Sequence, residues 1–378
     1  MEIASEMSGN TIPLFISAGD PSGDIAGSLL LRELKASCSG LSFIGLGGER
    51  MKAAGQEQTV PGSALAVMGF WEVARKFRFF RKLLSDTVET IRERKPRAVI
   101  LIDYPGFNLR LAEMIEPFEI PIIYYISPQI WAWGANRITK IRKSVDLMLV
   151  ILPFEKQIYD KAGVRSEFVG HYLLDDMERK HIKAPYNSES DLIMLMPGSR
   201  PQEVQRMLPT MLDAAEILAI EGKWRYAIAA VDTGIEYTSY LEQRDLPVEI
   251  VKGHTRELIG DSRLVITSSG TATLETGIIG RPMIVVYKTG VMTYIIARLL
   301  IKIDKVALIN ICGEKKIVPE LIQGKATAER IAAEASRFLA DPTLARNVIS
   351  ELNKTVDRLG SSGSVARAAG AILEYINC

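Results

Sequence analysis

Several stretches of this chain combine residue types that could move a proton or hold an anion, and each follows a short apolar run. The run Ala98 to Ile102 ends in Asp103, with Tyr104-Pro105-Gly106-Phe107-Asn108 after it. A carboxylate at the carboxyl end of a parallel strand lies on the ligand side of the sheet, where it could act as general base toward an attacking sugar hydroxyl. Turn chemistry is the competing account, because an Asp three residues before Gly with Pro between is an ordinary way to leave a strand. The local sequence leaves both open.

Three loops are suited to phosphate. Ala18-Gly19-Asp20-Pro21-Ser22-Gly23-Asp24 precedes a helical pattern from Ile25, and its glycines permit a tight turn with N–H groups exposed at a helix start. A plain strand-to-helix turn capped by Ser22 or Asp24 would read the same way. Pro197-Gly198-Ser199-Arg200 follows the run Leu192 to Met196. Ser199 could cap the next helix while Arg200 offers a diphosphate its forked guanidinium, unless Arg200 merely pairs with Glu203. The third loop, Ser268-Ser269-Gly270-Thr271-Ala272-Thr273-Leu274-Glu275, follows Leu264 to Thr267. Its N–H groups and hydroxyls suit phosphate, and Glu275 suits a ribose diol, or else serves as an acid near the positive end of a helix.

Other nucleotide and metal chemistries fit poorly. Gly45-Leu46-Gly47-Gly48-Glu49-Arg50 carries Arg50 where the dinucleotide fingerprint needs Gly or Ala, and no Gly-Lys-Ser or Gly-Lys-Thr closes a P-loop. The three histidines, His171, His181 and His254, form no metal-binding pair, so no metal or other cofactor is expected; His171 and His254 read as structural or site-lining. Cys38, Cys312 and Cys378 are odd in number and widely spaced, which argues against a disulfide framework and for a reducing cytoplasm.

The elements that must position these residues are legible in the 378-residue chain. Runs of Val, Ile and Leu alternate with amphipathic stretches twice over, the pattern of doubly wound parallel sheets. Strands are expected at 14–17, 41–44, 98–102, 120–126 and 147–151, then at 192–196, 225–230, 248–251, 264–267 and 283–286. The polar stretch 175–190 reads as a linker. The expected domains are 1–174 and 175–340, Rossmann-like and facing one cleft, with a helical tail, 341–378, packing back on the first.

The surface reading is local, since 46 Lys and Arg balance 45 Asp and Glu to a net charge of +1, which excludes a chain that coats nucleic acid. No apolar stretch is long enough to span a membrane, and Met1 to Thr11 lacks the pattern of an export signal. Phe70, Val73, Phe77, Phe80 and Leu84 recur at helical spacing beside Arg75, Lys76, Arg78, Arg81 and Lys82. Such a helix suits an anionic membrane surface, with Trp71 and Phe79 off the stripe adding apolar contact; equally, its stripe could pack on the sheet. Met292 to Ile303 poses a similar question, as core or subunit interface.

Together the motifs resemble the lipid-A-disaccharide synthases. The likeness rests on residues 18–24, Gly45 to Gly55, Val67-Met68-Gly69, Ile102 to Asn108, Tyr125 to Trp133 and Leu152-Pro153-Phe154-Glu155. It continues through Phe168-Val169-Gly170-His171, Pro197 to Arg200, Ser269 to Glu275 and Asn310 through Gln323, and so covers nearly the whole chain. The resemblance implies a GT-B-type architecture and metal-free, inverting transfer of 2,3-diacylglucosamine from UDP-2,3-diacylglucosamine to 2,3-diacylglucosamine 1-phosphate, lipid X. The product would be a β-1,6-linked disaccharide 1-phosphate, made at the inner face of the cytoplasmic membrane of a Gram-negative bacterium. It implies catalytic roles for Asp103 and Arg200, UDP contacts from Arg200, Ser269, Gly270, Thr271, Glu275 and Asn310, and an amino-terminal acceptor loop of Gly19, Asp20, Ser22 and Gly23. Two departures stand out: Asp20-Pro21 replaces the usual Glu-Ala, and Gly106 stands where many relatives carry an acid, leaving Asp103 as the only proton acceptor assigned. The alternatives are another GT-B enzyme using a UDP-N-acetylhexosamine, such as a peptidoglycan lipid transferase or an epimerase, and a non-catalytic nucleotide-sugar-binding protein.

Overall fold

The computed structural model describes residues 11–60, 73–132, 134, 136–179, 185–231, 234–290 and 304–378. These fall into two compact units, 1–176 with 360–378, and 177–359.

In the first unit the order is β1 (Ile12–Ala18), α1 (Pro21–Ser37), β2 (Leu41–Leu46), α2 (Glu49–Ala53), β3 (Gln56–Gln58), α3 (Val73–Arg94), β4 (Ala98–Ile102), α4 (Pro105–Ile115), β5 (Ile122–Tyr125), α5 (Arg137–Ser144), β6 (Leu147–Val150), α6 (Pro153–Lys161), β7 (Ser166–Phe168) and α7 (Tyr172–Arg179). Its strands form one parallel sheet ordered β3-β2-β1-β4-β5-β6-β7. Every residue of β4 is buried, as expected of a central strand covered by helices on both faces.

The second unit runs β8 (Leu192–Met196), α8 (Pro201–Glu221), β9 (Arg225–Ala230), β10 (Val248–Lys252), α9 (Thr255–Asp261), β11 (Leu264–Ser268), α10 (Thr271–Ile279), β12 (Met283–Tyr287), α11 (Leu308–Cys312), β13 (Glu320–Ile322), α12 (Ala328–Ala340) and α13 (Pro342–Arg358). Its parallel sheet is ordered β10-β9-β8-β11-β12-β13. The short strands β3, β7 and β13 escaped the sequence reading because three residues are too few to show a period.

In each sheet the winding reverses once, between β1 and β4 and between β8 and β11, and ligands of open α/β sheets bind outside the carboxyl ends at such points. Register decides which loops meet there. Ala18 pairs with Ile102, and Ile102 with Tyr125, so the loop at Gly19 borders Asp103. Thr267 pairs with Met196, so the loop Pro197 to Arg200 borders Ser268 to Gly270.

The chain end departs from expectation. Residues 341–378 do not act as one tail: α13 packs on α10 and α11 in the second unit, burying Ala345, Val348 and Leu352. Only α14 (Ser364–Ile376) returns to the first unit, against α1. Asp175, placed by the sequence reading at the start of a linker, lies in α7 and caps α14. Its carboxylate accepts from the N–H groups of Gly363, Ser364 and Val365 and from Ser364 Oγ, at 2.6 to 3.2 Å. Cys38 and Cys378 form a disulfide across 6.6 Å between Cα atoms, contrary to the reading of the cysteines, while Cys312 is free and buried. A separation of 340 residues hides that pairing from any spacing rule. Among the described residues, no helix is long and apolar enough to cross a membrane.

Candidate functional site

At the β1/β4 reversal, Asp103 and Tyr104 both take left-handed backbone conformations, with φ of 46° and 51°. Two such non-glycine residues in succession persist only where neighbours hold them. Here the Asp103 carbonyl accepts from Tyr124 Oη at 2.6 Å and from Asn108 Nδ2 at 2.8 Å, and Asn108, fully buried, accepts from Ser17 Oγ at 2.8 Å. The backbone that carries the carboxylate is therefore clamped. Burial raises its carboxyl to about 7 from the ordinary 3.8, with the charges of Asp20 and then Glu155 pushing the same way. A carboxyl titrating near neutrality at a strand end has the properties a general base needs.

The amino-terminal loop gathers beside it. Asp20, not Ser22 or Asp24, caps α1, accepting from Gly23 N at 2.6 Å, with Pro21 at the first helical position where its missing N–H costs nothing. Asp24 instead binds the N–H groups of Gly48, Arg50 and Met51 and ties the second glycine loop to α1. Gly19 is required by space, since a Cβ there would lie 2.3 Å from the Tyr104 ring. Ser22 is half-buried in the first turn and Gly23 buried behind the cap.

Sequence reasoning assigned Glu155 no role beyond the motif it closes. It is buried, accepts from Trp131 Nε1 at 3.0 Å and Leu152 N at 3.1 Å, and burial lifts its carboxyl to about 7. The indole it orients meets the Phe154 ring edge-on at 5.2 Å. His171 is structural: buried, accepting from Leu173 N, its pKa lowered by burial to about 3 and its ring neutral. His254 is exposed at the start of α9.

In the second unit the helix cap expected of Ser199 is absent. Helix α8 starts at Pro201, and Glu203 reaches back to accept from Ser199 N at 3.0 Å and Arg200 N at 3.3 Å. Its other oxygen takes Arg200 Nη1 at 3.2 Å, so a carboxylate of the chain itself occupies the N–H groups and guanidinium assigned to a diphosphate. The Arg200 side chain is 77% exposed, and an ion pair so open to water is weak enough to exchange for a more highly charged anion.

Ser269 and Gly270 lie beside that loop. Ser269 Oγ donates to Val306 O at 3.0 Å, while Gly270 starts α10 with φ of 129° and open space around it. Thr271 is half-buried in the first turn, with Glu275 four residues on along the same face. Asn310 is placed differently from a nucleotide contact. It is fully buried, accepting from Ile317 N and Val318 N and donating to Val318 O and Glu320. Glu320 in turn accepts from Val306 N and Ala307 N, so the pair sets the loop that receives Ser269 Oγ.

On α3, Arg78, Phe79, Arg81 and Lys82 are exposed, Phe79 to 40%. Phe80 and Leu84 of the apolar stripe pack on the sheet core with buried Leu83. Phe70 and Trp71 lie outside the described residues, as do Met292 to Ile303 and the side chains of Arg75 and Phe77.

Two parallel α/β units with ligand loops at both winding reversals, followed by a helical chain end, define a glycosyltransferase fold of the GT-B type. The fold is shared with a putative UDP-N-acetylglucosamine 2-epimerase from Listeria monocytogenes, at TM-score 0.64 and 12% identity over 97% of each chain. It is shared too with the calicheamicin glycosyltransferase CalG4, at TM-score 0.61 and 14% identity over 97% of this chain and 99% of that one. The family model for lipid-A-disaccharide synthetase matches residues 14–371. Lipid-A-disaccharide synthases of Anaeromyxobacter dehalogenans and Syntrophus aciditrophicus are each 39% identical to this chain, over 96% and 97% of it and 97% and 98% of their own lengths. The chain belongs to the lipid-A-disaccharide synthetase family and is a glycosyltransferase.

Proposed function

We propose that the chain transfers 2,3-diacylglucosamine from UDP-2,3-diacylglucosamine to the 6-hydroxyl of lipid X, with inversion, forming the β-1,6-linked disaccharide 1-phosphate and UDP. The observation that carries the reading is a clamped carboxyl at a winding reversal, titrating near 7, in a chain of this family. The first unit takes the acceptor through Gly19, Asp20, Ser22 and Gly23, and Asp103 accepts its hydroxyl proton. The freed oxygen pair attacks the anomeric carbon as its bond to the diphosphate oxygen breaks. The second unit holds UDP: Arg200, released from Glu203, and the N–H groups at Gly270 and Thr271 take the charge growing on the leaving group. Ser269 lines that site, Glu275 accepts from the ribose, and Asn310 acts through the loop it orders.

Mass spectrometry of a reaction containing UDP-2,3-diacylglucosamine and lipid X tests this. A disaccharide monophosphate with equimolar UDP is expected; turnover of unacylated UDP-N-acetylglucosamine in its place would overturn the substrate assignment.

The same reading places the chain at the cytoplasmic face of the membrane of a Gram-negative bacterium, held peripherally through α3. Exposed Phe79 beside Arg78 and Lys82 suits acyl chains under anionic headgroups. Arg78→Glu with Lys82→Glu should reduce sedimentation with phosphatidylglycerol vesicles, and unchanged binding would rule this face out.

A further inference from the structure

Glu275 does not stand alone on its helix. Arg256, on α9, donates to it from Nε at 3.1 Å and from Nη2 at 2.7 Å, and both bonds end on Oε1. Oε2 takes no bond among the described residues. Arg256 is only 9% exposed and the Glu275 side chain 19%, so the pair is largely withdrawn from water. A rigid guanidinium gripping one oxygen fixes the plane of the carboxylate, and with it the direction of the second oxygen.

That arrangement matters for a sugar diol. A glutamate free to rotate must be ordered when the ligand arrives, which weakens binding, whereas a carboxylate set beforehand presents its acceptor without that cost. We propose that Arg256 is a positioning residue for ribose recognition: it holds Glu275 so that the carboxylate accepts from the ribose hydroxyls of the bound uridine nucleotide. The inference rests on the reading that the second unit binds UDP. A pair that only fastened α9 to α10 would stabilise the unit without distinguishing one nucleotide from another, and this difference makes the two roles separable.

The experiment is calorimetric titration of the full chain with UDP and with 2′,3′-dideoxy-UDP. The unaltered chain should prefer UDP by roughly tenfold or more, the scale of hydrogen bonds to a charged acceptor. In Arg256→Gln that preference should fall to within about twofold, with the affinity for dideoxy-UDP unchanged. Arg256→Lys keeps the charge but loses the fork, and should retain about threefold preference; it decides the matter if Arg256→Gln does not fold. Equal weakening of both nucleotides with the preference intact, in whichever variant folds, overturns the positioning role. Glu275→Ala separates the two levels. If it leaves the preference intact, the ribose assignment itself fails; if it abolishes the preference while the Arg256 variants do not, only the inference about Arg256 fails.

Discussion

Replacing Asp20 by Asn offers a graded test of the base. Burial and the Asp20 charge hold the Asp103 carboxyl at about 7 against its ordinary 3.8. A base must be ionised to accept a proton, so kcat/KM should climb with pH along a limb centred near 7. Asn and Asp are comparable helix caps, so the substitution keeps the bond to Gly23 N and removes only the charge. Loss of one nearby charge in a half-buried site should lower the Asp103 pKa by about half a unit to one unit, while burial keeps it above the ordinary value. At about pH 6 a base of pKa 7 is roughly one-tenth ionised, and one shifted by ~0.7 units roughly one-third, so the variant should run about threefold faster there. At about pH 8 both forms are largely ionised and the rates should converge. The assay is kcat/KM for disaccharide formation from about pH 5.5 to 9 at constant ionic strength, with Asp103→Asn, expected to lose about a hundredfold, as control. An acid limb that stays in place in Asp20→Asn, or a flat profile below neutrality in the unaltered chain, would refute the assignment of Asp103.

Arg200→Ala should lower turnover by about a hundredfold while shifting stability by less than about 0.5 kcal/mol, because its partner in the free chain is an exposed Glu203; near-normal turnover removes Arg200 from the mechanism. Glu155, raised from 4.5 to about 7, binds its proton more tightly folded than unfolded, so its stabilising contribution is complete below about 4.5 and lost as pH rises through 7. That loss amounts to about 3 kcal/mol, and urea unfolding across this window should show a shallower pH slope in Glu155→Gln; parallel slopes would contradict the burial argument. Asp175→Ala leaves the start of α14 without its cap and should cost about 2–3 kcal/mol, seen as faster hydrogen exchange in α14. Unaltered exchange would mean that packing against α1 suffices to hold that helix.

The amino-acid sequence determined the fold class and the identity of the loops. Runs such as Ala98 to Ile102 and Leu192 to Met196 are buried on both faces, so they are apolar throughout and readable without any partner. Gly19 and Gly270 are likewise legible, because a tight approach and a positive φ both demand glycine. What each polar side chain does at those loops depended on tertiary structure. Asp20, Ser22 and Asp24 look alike as caps in one dimension, yet only register and the nearness of Gly48 assign the first and third their separate tasks. Asp175, Glu155, Glu320 and the Cys38–Cys378 pair all act on residues far from them in the chain or inside the fold, where spacing carries no signal. Asp103 joins both halves: its place at a strand end is written in the sequence, whereas its titration near 7 arises from burial and neighbouring charge, properties that exist only once β1, β4 and β5 lie side by side.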